Sequence, residues 1–210
     1  MARSTSVEMV REVGGLIDLD VDDNTTPSTD EVIKWLNRAA IDLVKVMPEA
    51  HLSDLMHEEV FSGVTEVDST DLTYSLLRII NVSVSYRSAV KIPEIERASL
   101  VAINPNRYSE KQPAYSVTGV SGIAKIKVYP SRASLISVLY VPIPTKYVNG
   151  GTGDLGALAL PESLEELAVR LAAIRYREQD EEPGQVQLYK AQFVQDLQLY
   201  YNVESVNFDI

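Results

Sequence analysis

The chain has 210 residues, of which 45% are apolar and 23% are charged, and its formal net charge is −11. This balance is typical of a globular protein with a sizeable core, which excludes wholesale disorder, and the negative charge argues against a protein that coats nucleic acid. Because there is no cysteine, thiolate catalysis, cysteine-ligated zinc and iron–sulfur clusters are excluded. No apolar run approaches the roughly 18 residues that indicate a membrane span, and the first residues lack the apolar stretch of a signal peptide.

The first section, residues 1–58, is predicted to be helical. Ser28 and Glu31 fit an S-x-x-E capping box, in which the Ser28 hydroxyl accepts from the Glu31 amide and the Glu31 carboxylate accepts from the Ser28 amide. Apolar residues then recur at three- and four-residue steps until Pro48 ends the helix, which predicts one buried helix face. That face comprises Val32, Trp35, Leu36, Ala39, Leu43, Val46 and Met47.

Two weaker elements flank this helix. The sequence predicts a short helix from Ser6 to Val13, broken by Gly14 and Gly15, because glycine is unfavourable inside a helix. The segment from His51 to Glu58 is predicted to form another helical turn or two.

The second section, residues 59–148, has the Val, Ile, Tyr and Ser content that is typical of strands. We expect an antiparallel β section with a short helix, because the last connections are short and carry the Gly and Pro residues of hairpin turns. Leu135–Val141 is apolar on both faces, so this strand is expected to be central or covered by another subunit. The predicted elements are the strand Leu77–Tyr86, the helix Glu94–Ile103, and the strands Ala114–Thr118, Ile123–Tyr129 and Leu135–Val141.

The last third of the chain is again predicted to be helical. A Gly-rich linker at residues 149–160 precedes an antiparallel helix hairpin at residues 161–200, with a break at Pro183-Gly184, and a C-terminal arm occupies residues 201–210. The first helix has an apolar stripe of Leu164, Leu167, Leu171 and Ile174 beside Ala168, Ala172 and Ala173, and the second has Val186, Tyr189, Phe193, Leu197 and Tyr200.

Charge is distributed unevenly along the chain. The net charge is −11 from Met1 to Thr73, +6 from Tyr74 to Leu160, and −6 from Pro161 to Ile210. Two interpretations stay open at this point: an ordinary solvated surface, or complementary faces for a partner or for a second copy of the chain.

Two motifs resemble ligand sites. Gly151–Gly156 matches G-x-G-x-x-G, but Leu160-Pro161 intervenes before the next helix, so a flexible linker is favoured over dinucleotide binding. Asp18–Asn24 resembles the start of a calcium loop, but the sixth and twelfth positions hold Asp23 and Thr29 instead of Gly and Glu. We therefore expect no cofactor and no metal site, and an acidic loop is the simpler interpretation.

Other residue types also lack a catalytic pattern. His51 and His57 are six residues apart, a spacing that does not place them on one helix face. Tyrosines and basic residues are interspersed in the β section, which is a feature of base stacking but also of protein interfaces, and we favour protein contact. These residues are Tyr108, Tyr115, Tyr129, Tyr140 and Tyr147, with Arg107, Lys111, Lys125, Lys127, Arg132 and Lys146.

The order of the elements resembles the head–tail adaptor (connector) proteins of tailed bacteriophages. The matching parts are the amphipathic helix TDEVIKWLNRAAIDLV at residues 29–44, a strand that ends in Tyr140-Val-Pro142, and the string LPESLEEL at residues 160–167. A final helix then closes the fold. The resemblance extends from about Thr29 to Tyr200.

This resemblance implies a non-enzymatic structural protein of the α+β class, in which N- and C-terminal helices form a bundle with an inserted antiparallel β section. It implies a ring, usually of twelve copies, that docks under the portal protein, extends the channel for double-stranded DNA without reading its sequence, and offers a platform for a tail or nozzle protein. It places the protein in the neck of the virion, and in the host cytoplasm during assembly, with no membrane partner.

The resemblance also assigns the apolar C-terminal end of the chain to a partner interface, formed by an arm that orders only on assembly. Two alternatives remain: another phage neck or tail-completion protein, and a small nucleotide-binding protein or hydrolase that uses Gly151–Gly156. The predicted interface residues are Leu199, Tyr200, Tyr201, Val203, Val206, Phe208 and Ile210.

Overall fold

The structure is a computed structural model that describes residues 5–93, 108–109, 111–120, 123–129, 135–149, 160–180 and 183–203. The chain divides into two compact units: Met1–Leu55 with Pro144–Ile210, here called the helical unit, and Met56–Ile143, here called the β unit. The predicted α+β class, with helices from both ends of the chain and a β section between them, is confirmed.

In its described part, the helical unit contains helices α1 (Ser6–Ile17), α2 (Thr29–Val46), α3 (Glu162–Asp180) and α4 (Pro183–Tyr201). Helix α3 packs against the other three helices, so it is the centre of the unit. The alanines of its stripe are fully or nearly buried, as small side chains allow when helices pack closely. The buried apolar residues of α3 are Leu164, Leu167, Ala168, Val169, Leu171, Ala172, Ala173 and Ile174.

The hairpin of α3 and α4 is antiparallel, as predicted. The Tyr201 hydroxyl at the end of α4 donates to the Ser163 carbonyl at the start of α3 at 3.0 Å. Nearer the connection, the Arg177 guanidinium donates to the Tyr189 hydroxyl at 2.8 Å. The predicted stripe of α4 is wrong at one residue, because Tyr200 is 76% exposed.

The prediction that Gly14 and Gly15 break the first helix is wrong, because α1 continues through both to Ile17. The turn after Ile17 brings the Leu19 carbonyl back over the helix, and a Cβ atom on Gly14 would lie 2.7 Å from that oxygen. Gly14 therefore permits a close approach of the backbone, and the Leu19 amide donates to its carbonyl at 3.0 Å.

The β unit contains eight strands among its described residues, arranged in two four-stranded sheets. The first sheet has the order β1-β8-β3-β4 and the second the order β2-β7-β6-β5. One buried cluster draws apolar residues from both sheets, so the sheets share a core. The strands are β1 (His57–Ser62), β2 (Glu66–Asp68), β3 (Leu76–Val84), β4 (Arg87–Ser88), β5 (Val90–Lys91), β6 (Ala114–Val120), β7 (Ile123–Tyr129) and β8 (Leu135–Pro142).

The predicted central position of Leu135–Val141 is confirmed, since β8 lies between β1 and β3 and pairs with both antiparallel. The predicted hairpin of β6 and β7 also forms. A second hairpin, of β7 with β8, does not form because these strands belong to different sheets. The short parallel pairing of β5 with β6 is a further departure from a purely antiparallel section.

Three smaller predictions have mixed outcomes. The strand predicted to reach Tyr86 ends at Val84. The segment after Pro48 forms the 3-10 turns Glu49–His51 and Ser53–Leu55, but His57 and Glu58 begin β1. The predicted helix Glu94–Ile103 lies outside the described residues.

Candidate assembly surfaces

The predicted interface residues fall into three groups. Leu199 and Tyr200 lie on α4, within the predicted helix hairpin, and they are 68% and 76% exposed. Tyr201 ends the helix half-buried, with its ring 5.1 Å from that of His51. Asn202 has a positive φ, and the next residue, Val203, is buried. The remaining three, Val206, Phe208 and Ile210, lie outside the described residues.

The outer face of α4 carries no charge among its described exposed side chains. The two charged residues of the helix pair within the hairpin: Lys190 with Glu178, and Asp196 with Arg170 at 2.6 Å. An uncharged exposed face on a chain with this acidity is typical of a protein contact, because such contacts exclude charge from their centre. We call this face the α4 face, and its residues are Gln187, Leu188, Ala191, Gln192, Gln195, Gln198, Leu199 and Tyr200.

The remaining surface of the helical unit is strongly acidic. The unit contains 10 basic and 22 acidic residues, a formal net charge of −12. Several of the cations are already paired: Arg175 is buried against Asp42, and Lys45 lies 3.3 Å from the same carboxylate. The exposed acidic residues therefore keep most of their negative potential.

The acidic loop Asp18–Asn24 lines an open cleft beside α1 with a volume of about 720 Å³. Within this loop, the Asp22 carboxylate accepts from the Asn24 amide at 2.6 Å. Asp23 lies 3.2 Å from the Asn149 side-chain amide. No group of three or more acidic or histidine side chains that could hold a metal ion occurs in the described part of the chain.

The β unit is nearly neutral, with 9 basic and 8 acidic residues. Part of the charge contrast along the chain is neutralised by ion pairs within this unit. Strand β2 pairs with β7, and the Lys125 ammonium lies 3.2 Å from the Asp68 carboxylate and 3.7 Å from that of Glu66. The hydrogen bond and the charge of Asp68 raise the pKa of Lys125. The basic middle section is thus partly neutralised by strands from the acidic first section.

The comparisons agree with this organisation. A family model described as SU10 adaptor protein matches residues 4–207, almost the whole chain. The chain belongs to this family of phage head–tail adaptors. A search of curated proteins found no match.

Membership identifies the chain as a structural phage protein and implies a location in the neck of the virion. In the described ranges of this adaptor, no helix is both long enough and apolar enough to cross a membrane. The G-x-G-x-x-G segment, Gly151–Gly156, lies outside those ranges.

The tyrosines of the predicted basic section are mainly structural in this adaptor. Tyr115, Tyr140 and Tyr147 are buried, so their rings are not available to stack on bases. The Tyr140 hydroxyl donates to the Glu59 carboxylate at 2.5 Å, and burial, followed by this hydrogen bond, raises the pKa of Tyr140 to about 12.

The two histidines lie in different units of the chain. His51 lies in the helical unit and packs against Tyr201, whereas His57 lies on β1 with its ring 4.6 Å from that of Tyr74. Each histidine therefore has an aromatic packing partner within its own unit.

Sequence reasoning missed the turn between β3 and β4. Ser85 and Tyr86 both have positive φ, and the Tyr86 side chain is 90% exposed. Turns with two positive φ values usually contain Gly or Asn, and this turn contains neither. The sequence therefore carries no signal for it.

Proposed function

We propose that this adaptor forms a ring, of twelve copies as the resemblance implies, that docks under the portal protein, extends the channel for DNA and carries a tail or nozzle protein. Family membership over residues 4–207 is the observation that carries this proposal. The ring assembles in the host cytoplasm and remains in the neck of the virion.

The α4 face supports contact with a neighbouring virion protein. Leu188, Leu199 and Tyr200 are all more than half exposed, and none of the described α4 residues in the exposed class is charged. Burial of exposed apolar area is favourable, at about 25 cal/mol per Å². We assign this face, with the C-terminal residues that follow it, to the portal.

The acidity of the helical unit supports a role beside passing DNA. Surface carboxylates repel phosphates and release no counterions from DNA, so they oppose adhesion. A net charge of −12 on this unit is consistent with a channel through which DNA slides without binding.

The test is to mix the purified adaptor with purified portal rings and to image the product by negative-stain electron microscopy. We expect an added layer with the twelve-fold symmetry of the ring. A Leu199→Glu, Tyr200→Glu variant should lose this layer, because two charges would be buried at the contact. Val60→Glu is the matched control, since Val60 is 58% exposed but lies on β1.

A second test removes the C-terminal residues, and it must leave the end of α4 intact. Val203 is buried, and its amide lies 3.5 Å from the Leu197 carbonyl, so removal of Val203 would disturb the end of α4. A chain that ends at Val203 should fold normally and fail to join the portal. Unimpaired joining by this truncated chain would refute the role of the C-terminal residues.

Binding to a tail-tube end without binding to the portal would favour the alternative of another neck or tail-completion protein. A nucleotide-dependent rise in melting temperature would favour the nucleotide-binding alternative. The proposal predicts neither result.

A further inference from the structure

The turn between β3 and β4 has an unfavourable sequence for its conformation. Val84 pairs with Arg87, so Ser85 and Tyr86 form a two-residue loop, and their φ values are 48° and 65°. Hairpin loops with two positive φ values strongly favour Asn-Gly, and a bulky residue in this region is an outlier. The Ser85 amide donates to the Leu135 carbonyl at 2.9 Å, which fixes the loop to β8.

No burial of Tyr86 compensates for this conformation within the chain, because the side chain is 90% exposed. The loop therefore presents a tyrosine on a rigid support at a cost to folding. Backbone strain of this kind concentrates at sites that contact other molecules, and tyrosine is enriched at the centre of protein interfaces.

The residues beside Tyr86 give the tip a positive charge. Arg87, Val90 and Lys91 are exposed, and neither cation makes an ion pair within the described residues. Arginine and tyrosine are both enriched at interface hot spots. We call Ser85–Lys91 the hairpin tip.

The helical unit offers an open cleft of opposite charge. Its cleft of about 720 Å³ is lined by Val7 and Val10 and by the carboxylates of the Asp18–Asp23 loop. Arg11 is the one cation among the residues that line the described cleft. An aromatic ring could contact the apolar residues while the flanking cations of the hairpin tip face the aspartates.

We propose that the hairpin tip of one copy binds in this cleft on the helical unit of the next copy. The contact joins two different faces of the same protein, and such heterologous contacts generate closed rings when the rotation allows. This inference rests on the proposed ring and names the residues that link its subunits.

Cross-linking tests the contact directly, because the natural chain contains no cysteine. A Val90→Cys variant and a Leu19→Cys variant, with tags of different mass, are mixed and treated with a short bismaleimide. We expect a covalent species that contains both tags. Val90→Cys mixed with Gln187→Cys, an exposed position on α4, is the control and should give little of that species.

Charge reversal provides a second test. Arg87→Glu and Asp20→Arg should each weaken self-association by about tenfold or more, and the combined variant should restore it, as expected for a direct pair. The variant Ser85→Asn, Tyr86→Gly should melt at a higher temperature than the natural chain and yet lose self-association. Loss of assembly in a stabilised variant cannot be a folding defect.

The outcomes separate this inference from the proposed function. If the natural chain forms no ring, alone or on the portal, the proposed function fails. If it forms rings and the charge-reversed and Asn-Gly variants do so equally well, only the hairpin contact is refuted. Binding of a duplex DNA fragment that Arg87→Glu abolishes, with rings intact, would also overturn the contact in favour of a nucleic-acid surface.

Discussion

Gly14 and Gly15 are adjacent in α1 but have different surroundings. A Cβ atom on Gly14 would lie 2.7 Å from the Leu19 carbonyl, whereas nothing lies within 4 Å of the corresponding position on Gly15. Gly14→Ala should lower the free energy of unfolding by about 1–3 kcal/mol, because backbone must move to relieve the contact. Gly15→Ala, the control, should raise it by about 0.5–1 kcal/mol. Urea denaturation of both variants measures the difference, and equal effects would contradict this account.

At this scale, the sequence predicts what depends on near neighbours. The predicted Ser28–Glu31 capping box is confirmed, because the Ser28 amide donates to the Glu31 carboxylate at 2.9 Å. Thr5 and Glu8 have the same spacing and form a complete box at α1, which the same rule could have found. The role of Gly14 depends on where the chain returns after the helix, and no local pattern encodes that.

Among the elements, the Tyr140 hydroxyl connects three parts of the β unit. It donates to Glu59 on β1, it lies 3.3 Å from the Tyr74 amide, and Glu59 also accepts from the Thr73 amide at 2.8 Å. These hydrogen bonds connect the central strand β8 to β1 and to the segment that precedes β3.

The raised pKa of Tyr140 predicts a loss of stability at high pH. Its pKa is about 12 in the folded chain, against about 10 for an ordinary tyrosine, so the unfolded chain releases this proton first. The contribution of Tyr140 is complete below pH ~10 and is lost as the pH rises towards 12. Urea midpoints between these values should fall more steeply for the natural chain than for Tyr140→Phe. Tyr86→Phe, at an exposed position, should leave the slope unchanged.

Strand positions were more predictable than strand partners. Ile123–Tyr129 was predicted with the bounds observed, because alternation of apolar and polar residues is a local property. The assignment of β7 and β8 to different sheets depends on which face each strand buries in the shared core. A short connection with a proline is compatible with either arrangement, so the sequence could not decide.

For the whole molecule, the charges of the two units predict how self-association depends on salt. The helical unit carries a formal charge of −12, and the cations of the hairpin tip make no ion pair within the described ranges. Raising the salt concentration from about 0.05 M to about 0.5 M should weaken self-association, because exposed charges are screened. Sedimentation velocity measures the change, and Arg87→Gln should give a smaller salt dependence. A ring that is insensitive to salt would contradict electrostatic matching.

The candidate surfaces were only partly predictable. The resemblance assigned Leu199 and Tyr200 to a partner interface at the C-terminal end of the chain, and both lie on α4, within the predicted helix hairpin. The hairpin tip was not predicted, because its exposure and its backbone conformation follow from pairing with β8 and β4. Family resemblance was visible in the order of the elements, because each element has a local pattern that can be read from the sequence.

The insertion of the β unit between the parts of the helical unit has a consequence during translation. Helix α2 emerges from the ribosome more than a hundred residues before α3, against which it packs. At bacterial elongation rates, the apolar side of α2 waits on the order of ten seconds for its partner. The β unit is continuous in the chain and can fold during that interval. It can therefore be complete before the N-terminal and C-terminal helices of the nascent polypeptide pack together.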